Sequence, residues 1–109
     1  MITARLYMLQ RLSALVMAPL VLGHIAVMIY AIQGGLSAAE ILSRTQGSLA
    51  WFLFYGLFVV TVSVHTAIGA RTIAHEWFGM SGRMLDMKMW AIGITLFTLG
   101  AWAVLAVTL

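Results

Sequence analysis

The sequence predicts an all-α membrane protein with three transmembrane helices and a cytoplasmic N-terminus. Three observations lead there: a composition of 63% hydrophobic and 8% charged residues, three long apolar runs, and a one-sided distribution of lysine and arginine. Soluble domains carry about 25% charged residues, so water is not the main solvent of this chain. Hydrocarbon leaves the backbone no partner but itself, which restricts spanning structures to helices and closed barrels. Unbroken rather than alternating apolar runs select helices.

The first run extends from Leu12 to Ile32, the second from Leu49 to Ile73 and the third from Met89 to Leu109. Each meets the length of about 20 residues that a span requires, and with their polar ends the helices are expected over 6–32, 48–76 and 84–109. The chain is therefore a single transmembrane domain, 1–109, with no room for a catalytic domain outside the bilayer. The linkers are short and polar, carrying Glu40 and Arg44 in one and Arg83 and Asp86 in the other. The first run is too long for a cleaved signal segment, so it is expected to be retained.

Pro19 removes an amide donor inside the first helix and is expected to bend it. Trp51, Trp77 and Trp90 are placed as interfacial anchors. Gly93 and Gly100, seven residues apart on the third helix, form a small-residue stripe expected to be a packing seam.

Arg5, Arg11, Arg71, Arg83 and Lys88 fall at one end of the helices and only Arg44 at the other. Positive residues stay in the cytoplasm, which puts the N-terminus inside and the C-terminus outside a cytoplasmic (inner) membrane. The net charge of +3 then serves topology and contact with membrane lipid; no basic run of the kind that binds nucleic acid is present. Without cysteine there is no iron–sulfur ligation and no covalent c-type haem. Nucleotide-binding glycine motifs are also missing. Any redox role must use a non-covalent cofactor or a quinone.

Two ionisable residues stand inside the apolar runs, His24 and His65. Such residues mark function by default, and neutral imidazole is a preferred iron ligand, so both are candidate axial ligands of haem iron. A histidine hydrogen-bonded to a neighbouring helix is the structural alternative. Gly23 adjoins His24 and Gly69 lies one turn beyond His65, where a flat macrocycle could approach the backbone. Arg71, by its spacing from His65, is placed to pair with haem propionates.

A rise of ~1.5 Å per residue puts His24 about 20 Å past Arg11 and His65 about 9 Å from Arg71, so the two rings differ in depth by about 10 Å. Axial nitrogens approach one iron at ~2 Å each, as other metal-bound imidazoles do, so the histidines should serve separate sites. Each then needs its second axial partner from another polypeptide, and the chain is half of a larger heteromeric helix bundle. At the entry of the first helix, Tyr7, Gln10, Arg11 and Ser13 offer hydroxyl, amide and guanidinium groups suited to a quinone head group; positive-inside anchoring and an aromatic belt are the alternative. His75 and Glu76 occupy the matching end of the second helix.

Gln10-Arg11-Leu12-Ser13-Ala14 followed by His24, and His65-x-x-x-Gly69-x-Arg71-x-x-x-x-Glu76, resemble the cytochrome b membrane-anchor subunit of succinate dehydrogenase and fumarate reductase. The resemblance covers nearly the whole chain, and the second-helix pattern of His, Gly, Arg and an acid is its most specific part. It implies that His65 is the haem b ligand of the second helix, that Arg11 and Ser13 lie near the quinone, and that His24 is the first-helix ligand found in two-haem members. Gln10, Ala14 and Glu76 depart from the commoner His, Gly and Asp. The resemblance further implies a complex with a flavoprotein subunit, an iron–sulfur subunit and a second membrane-anchor subunit. In such a complex this chain docks the soluble subunits on the cytoplasmic face, binds one or two haems b and completes the quinone site, without being catalytic alone. A haem-free structural anchor for a soluble enzyme is the competing reading; a transporter subunit lacks an intramembrane carboxylate.

Overall fold

A computed structural model describes residues 3–109, and its elements are α1 (Ala4–Gly34), α2 (Ala38–Thr45), α3 (Leu49–Phe78) and α4 (Gly82–Thr108). Helices α1, α3 and α4 are each long and apolar enough to cross a membrane. The all-helical, three-span architecture expected from the sequence is present, and no strand occurs among the described residues. α1 passes through Pro19 as one continuous helix.

The short helix α2 stands where the sequence pointed only to a polar linker. Its start is a Ser-x-x-Glu arrangement: the Ser37 hydroxyl oxygen accepts from the Glu40 amide at 3.1 Å, and the same hydroxyl donates to the Glu40 carboxylate at 2.7 Å. Thr3 and Ser48 cap α1 and α3 in the same way, by accepting from the amides of Leu6 and Trp51. α3 stops at Gly79, whose left-handed backbone (φ 67°) is a conformation open to glycine.

α3 is the middle of the assembly, packed on one side along α4 and on the other along α1, while α2 rests on the end of α4. The core is small: Ala67, Ile68 and Met89, with Leu6, Val64 and Ile92 against them. Burial is inverted relative to a soluble protein. Ser13, Thr45, Thr61, Ser63, Arg71 and Thr108 are buried, while Leu15, Leu22, Ile32, Trp77 and Trp102 are among the most exposed side chains. Such a surface matches hydrocarbon, where burial of apolar side chains gains little and buried polar groups bind helices together. The long axis of 47 Å equals about one bilayer with its head groups, ~40–45 Å.

The seam expected from Gly93 and Gly100 is where α4 meets α3. A β-carbon at Gly93 would stand 3.3 Å from that of Ala67, and one at Gly100 only 2.6 Å from Val59 Cγ1. Val59 is β-branched and has little rotamer freedom to yield. Gly100→Ala is therefore expected to lower stability by about 1–3 kcal/mol through overpacking, read as an earlier unfolding transition in detergent. Gly56, with open space around it, supplies the control: Gly56→Ala should leave the transition in place, and equal shifts for the two would remove the seam as the cause.

At the far end the linker reaches over α4. Thr45 Oγ1 donates to the Val107 carbonyl at 2.6 Å, the Gly47 amide to that of Thr108 at 2.8 Å, and Gln46 Nε2 to that of Leu109 at 2.9 Å. Arg44 donates to the Gly35 carbonyl at 2.7 Å and lies 5.6 Å over the Tyr30 ring. These bonds satisfy carbonyls that helix ends leave without intrahelical partners.

Candidate functional site

Both intramembrane histidines lie on the antiparallel interface of α1 and α3. Nδ1 of His65 is 3.2 Å from Ser13 Oγ. One turn towards the N-terminus of α1, the Gln10 amide nitrogen lies 3.4 Å from where a Gly69 β-carbon would stand. Ten residues back along α3 from His65, the register places His24 against aromatic rings: its ring centroid is 5.0 Å from Phe58 and 6.4 Å from Tyr55, both edge-on. Gly23 allows this approach, since a β-carbon there would meet the Phe54 ring at 3.2 Å. The glycines expected to leave room for a macrocycle thus face Phe54 and the Gln10 side chain within this chain.

Phe58 and Tyr55 precede His65 by seven and ten residues, which is about 10–15 Å along the axis of α3. His24 and His65 are separated in depth by that amount. Among the described residues no three or more His, Asp or Glu side chains come together; each histidine offers one imidazole alone.

Several polar atoms at the interface are buried without a hydrogen-bond partner: His24 Nδ1, Gln10 Oε1 and Arg71 Nη1. A buried unpaired polar atom costs about 1–3 kcal/mol, so three of them in one small protein are cause to look for a ligand. Arg71 is the most telling. It is 9% exposed and its Nε donates to Asp86 Oδ1 at 2.8 Å, with Asp86 half-exposed, yet a second nitrogen of its fork stays unused. An imidazole at each of two depths and, six residues beyond His65 on α3, a buried guanidinium with a spare donor are residue types that could hold a haem with its anionic propionates. The residues fit that group.

The polar cluster at the start of α1 divides. Gln10 and Ser13 turn towards α3, whereas Tyr7 and Arg11 are exposed and pair with each other: Arg11 Nη1 donates to Tyr7 Oη at 3.3 Å, and its guanidinium lies 5.7 Å over the ring. His75 Nδ1 is 2.8 Å from the Met80 carbonyl, just beyond the end of α3. Thr72 bonds back to the Ile68 carbonyl, and Glu76 is exposed.

Asp86 as the partner of Arg71, and Tyr55 and Phe58 around His24, were not singled out in the sequence. Asp86 had a signal, being one of only three acids and lying just beyond the turn that Arg71 approaches. The aromatic rings had none until the register of α1 on α3 was known.

A model of the family described as succinate dehydrogenase/fumarate reductase transmembrane subunit matches residues 1–107. The chain belongs to this family. No curated protein and no solved structure matches it. As a transmembrane subunit it is an integral membrane protein and part of a complex with other succinate dehydrogenase or fumarate reductase subunits. Membership also gives the exposed apolar flanks a purpose: α1 has only Ser13 buried over its 31 residues, and the surface it presents is available to lipid and to neighbouring spans.

Proposed function

We propose that this transmembrane subunit binds haem b and carries electrons between an iron–sulfur subunit and membrane quinone. Haem supplies reversible one-electron chemistry on iron. The observation that supports the reading most is the pair of imidazoles on a single helix interface at two depths. His65 would hold the haem of the site nearer the cytoplasm through an imidazole nitrogen, and His24 that of a second site nearer the outer face. A second membrane-anchor subunit completes both sites with its own histidines, because the depth gap keeps His24 and His65 from facing each other. Arg71, with its unpaired Nη1, would hold a propionate. The N-terminus lies in the cytoplasm, since five of the six basic residues belong to that end, and the flavoprotein and iron–sulfur subunits dock there.

The visible spectrum of the purified complex tests this: b-type bands are expected, and a colourless membrane domain would instead favour a haem-free anchor. Tyr7, Gln10, Arg11 and Ser13 are proposed at the quinone site, with the exposed Arg11 and Tyr7 presented towards the partner subunits. Arg11→Ala is expected to lower quinone reduction about 10-fold or more, as loss of a charged hydrogen bond does, while succinate oxidation by a soluble artificial acceptor persists. Parallel loss of both activities would point to failed assembly and remove the support for a quinone role.

A further inference from the structure

The Ser13 hydroxyl carries one hydrogen, and its oxygen has two neighbours within hydrogen-bond distance. Ser13 Oγ donates to the Gln10 carbonyl of its own helix at 2.9 Å, and Nδ1 of His65 is 3.2 Å away from the same oxygen. With the hydroxyl hydrogen committed to a carbonyl, which only accepts, the contact to His65 requires a proton on Nδ1. A neutral imidazole has one ring proton, so Nε2 is left with its lone pair. Ser13 is 5% exposed, and within the described residues it is the side chain hydrogen-bonded to that ring.

We infer that Ser13 is a positioning residue for His65, holding the imidazole in the tautomer whose Nε2 can ligate iron and fixing the rotation of the ring. The inference rests on the haem-binding reading of His65 and reassigns Ser13 from the quinone site to the histidine. Iron-bound histidines donate their other ring N–H to an oxygen acceptor, which orients the ring and makes the coordinating nitrogen a stronger donor. A serine supplied by the neighbouring helix does this here, and it also couples the packing of α1 on α3 to the ligand. Gln10 lies in the same turn of α1, with its side-chain amide beside Gly69 of α3.

The intact complex carrying Ser13→Ala, Ser13→Thr or Ser13→Cys tests the inference, with the centre that depends on His65 identified by its loss in His65→Ala. Ser13→Ala should raise the midpoint potential of that centre, because a less electron-rich imidazole favours ferrous iron. It should also release that haem to an excess of apomyoglobin about 10-fold or more faster, the size of effect typical of losing such a partner. Ser13→Thr, which keeps a hydroxyl, should stay near the parent, and Ser13→Cys, a weaker acceptor, should fall between. If Ser13→Ala assembles with parental potential and haem release, the inference is overturned while the haem reading stands; a raised quinone KM with those values unchanged would return Ser13 to the quinone site. Should Ser13→Ala fail to assemble, a parental potential in Ser13→Cys overturns the inference equally. A parent complex without b-type bands removes the haem reading itself, an outcome distinguishable from all of these.

Discussion

His65→Ala is expected to abolish one b-type centre in the complex, leaving the spectrum with the absorbance of the other alone. The nitrogen proposed to ligate iron disappears, and among the described residues no other imidazole lies beside it. Gln10 faces Gly69, Ser13 is bonded to the Gln10 carbonyl, and His75, ten residues along α3, is engaged with the Met80 carbonyl at the helix end. The substitution also takes one of two partners from Ser13 Oγ, which keeps its bond to the Gln10 carbonyl, so the cost there is that of a single hydrogen bond, about 0.5–1.5 kcal/mol. A reduced yield of assembled complex should accompany the spectral loss. Haem content per copy of the chain, measured by the pyridine haemochrome, checks the result; full content in His65→Ala would remove His65 as a ligand.

His24→Ala is expected to remove the second centre, the one nearer the outer face, and to leave the first unchanged. In the parent complex the two should titrate at distinct potentials, since burial and neighbouring groups tune each iron separately. His24 is set beside Tyr55 and Phe58 with an unpaired Nδ1, whereas His65 Nδ1 is 3.2 Å from Ser13 Oγ. Because alanine also leaves a gap beside the rings, His24→Leu is the companion variant: it refills the space without offering a nitrogen. Loss of one haem with normal assembly in His24→Leu fits ligation. Retention of both haems in that variant would make His24 a packing residue.

How much of this was legible in the sequence depended on the range of the interaction. The three spans followed from apolar run length alone, and the seam from the spacing of Gly93 and Gly100, because each is a property of one helix. α2 has a local signal in the capping arrangement Ser37-Ala38-Ala39-Glu40, within a segment whose polarity alone reads as a linker. The grouping of Tyr7, Gln10, Arg11 and Ser13 as one polar cluster rested on proximity along the chain. At about 100° per residue Ser13 lies on the far side of Gln10 from Tyr7 and Arg11, so the cluster spreads over nearly half the circumference of the helix. The pairing of Ser13 with His65 crosses 52 residues and depends on the stagger of two helices, a quantity that no local pattern encodes.

The bonds from Thr45, Gln46 and Gly47 to the last carbonyls of α4 span separations of 62 and 63 residues in the two side-chain cases. They act as a clasp that turns the α3–α4 hairpin into a closed ring. Closing a ring of that size has an entropic cost that grows only as about (3/2)RT ln n, and the extensive packing of α3 on α4 already brings the ends together. The clasp therefore forms at little additional cost once the hairpin exists. Fraying, which ordinarily starts at a helix terminus, is then no longer local: unwinding the last turn of α4 means releasing the linker that leads into α3.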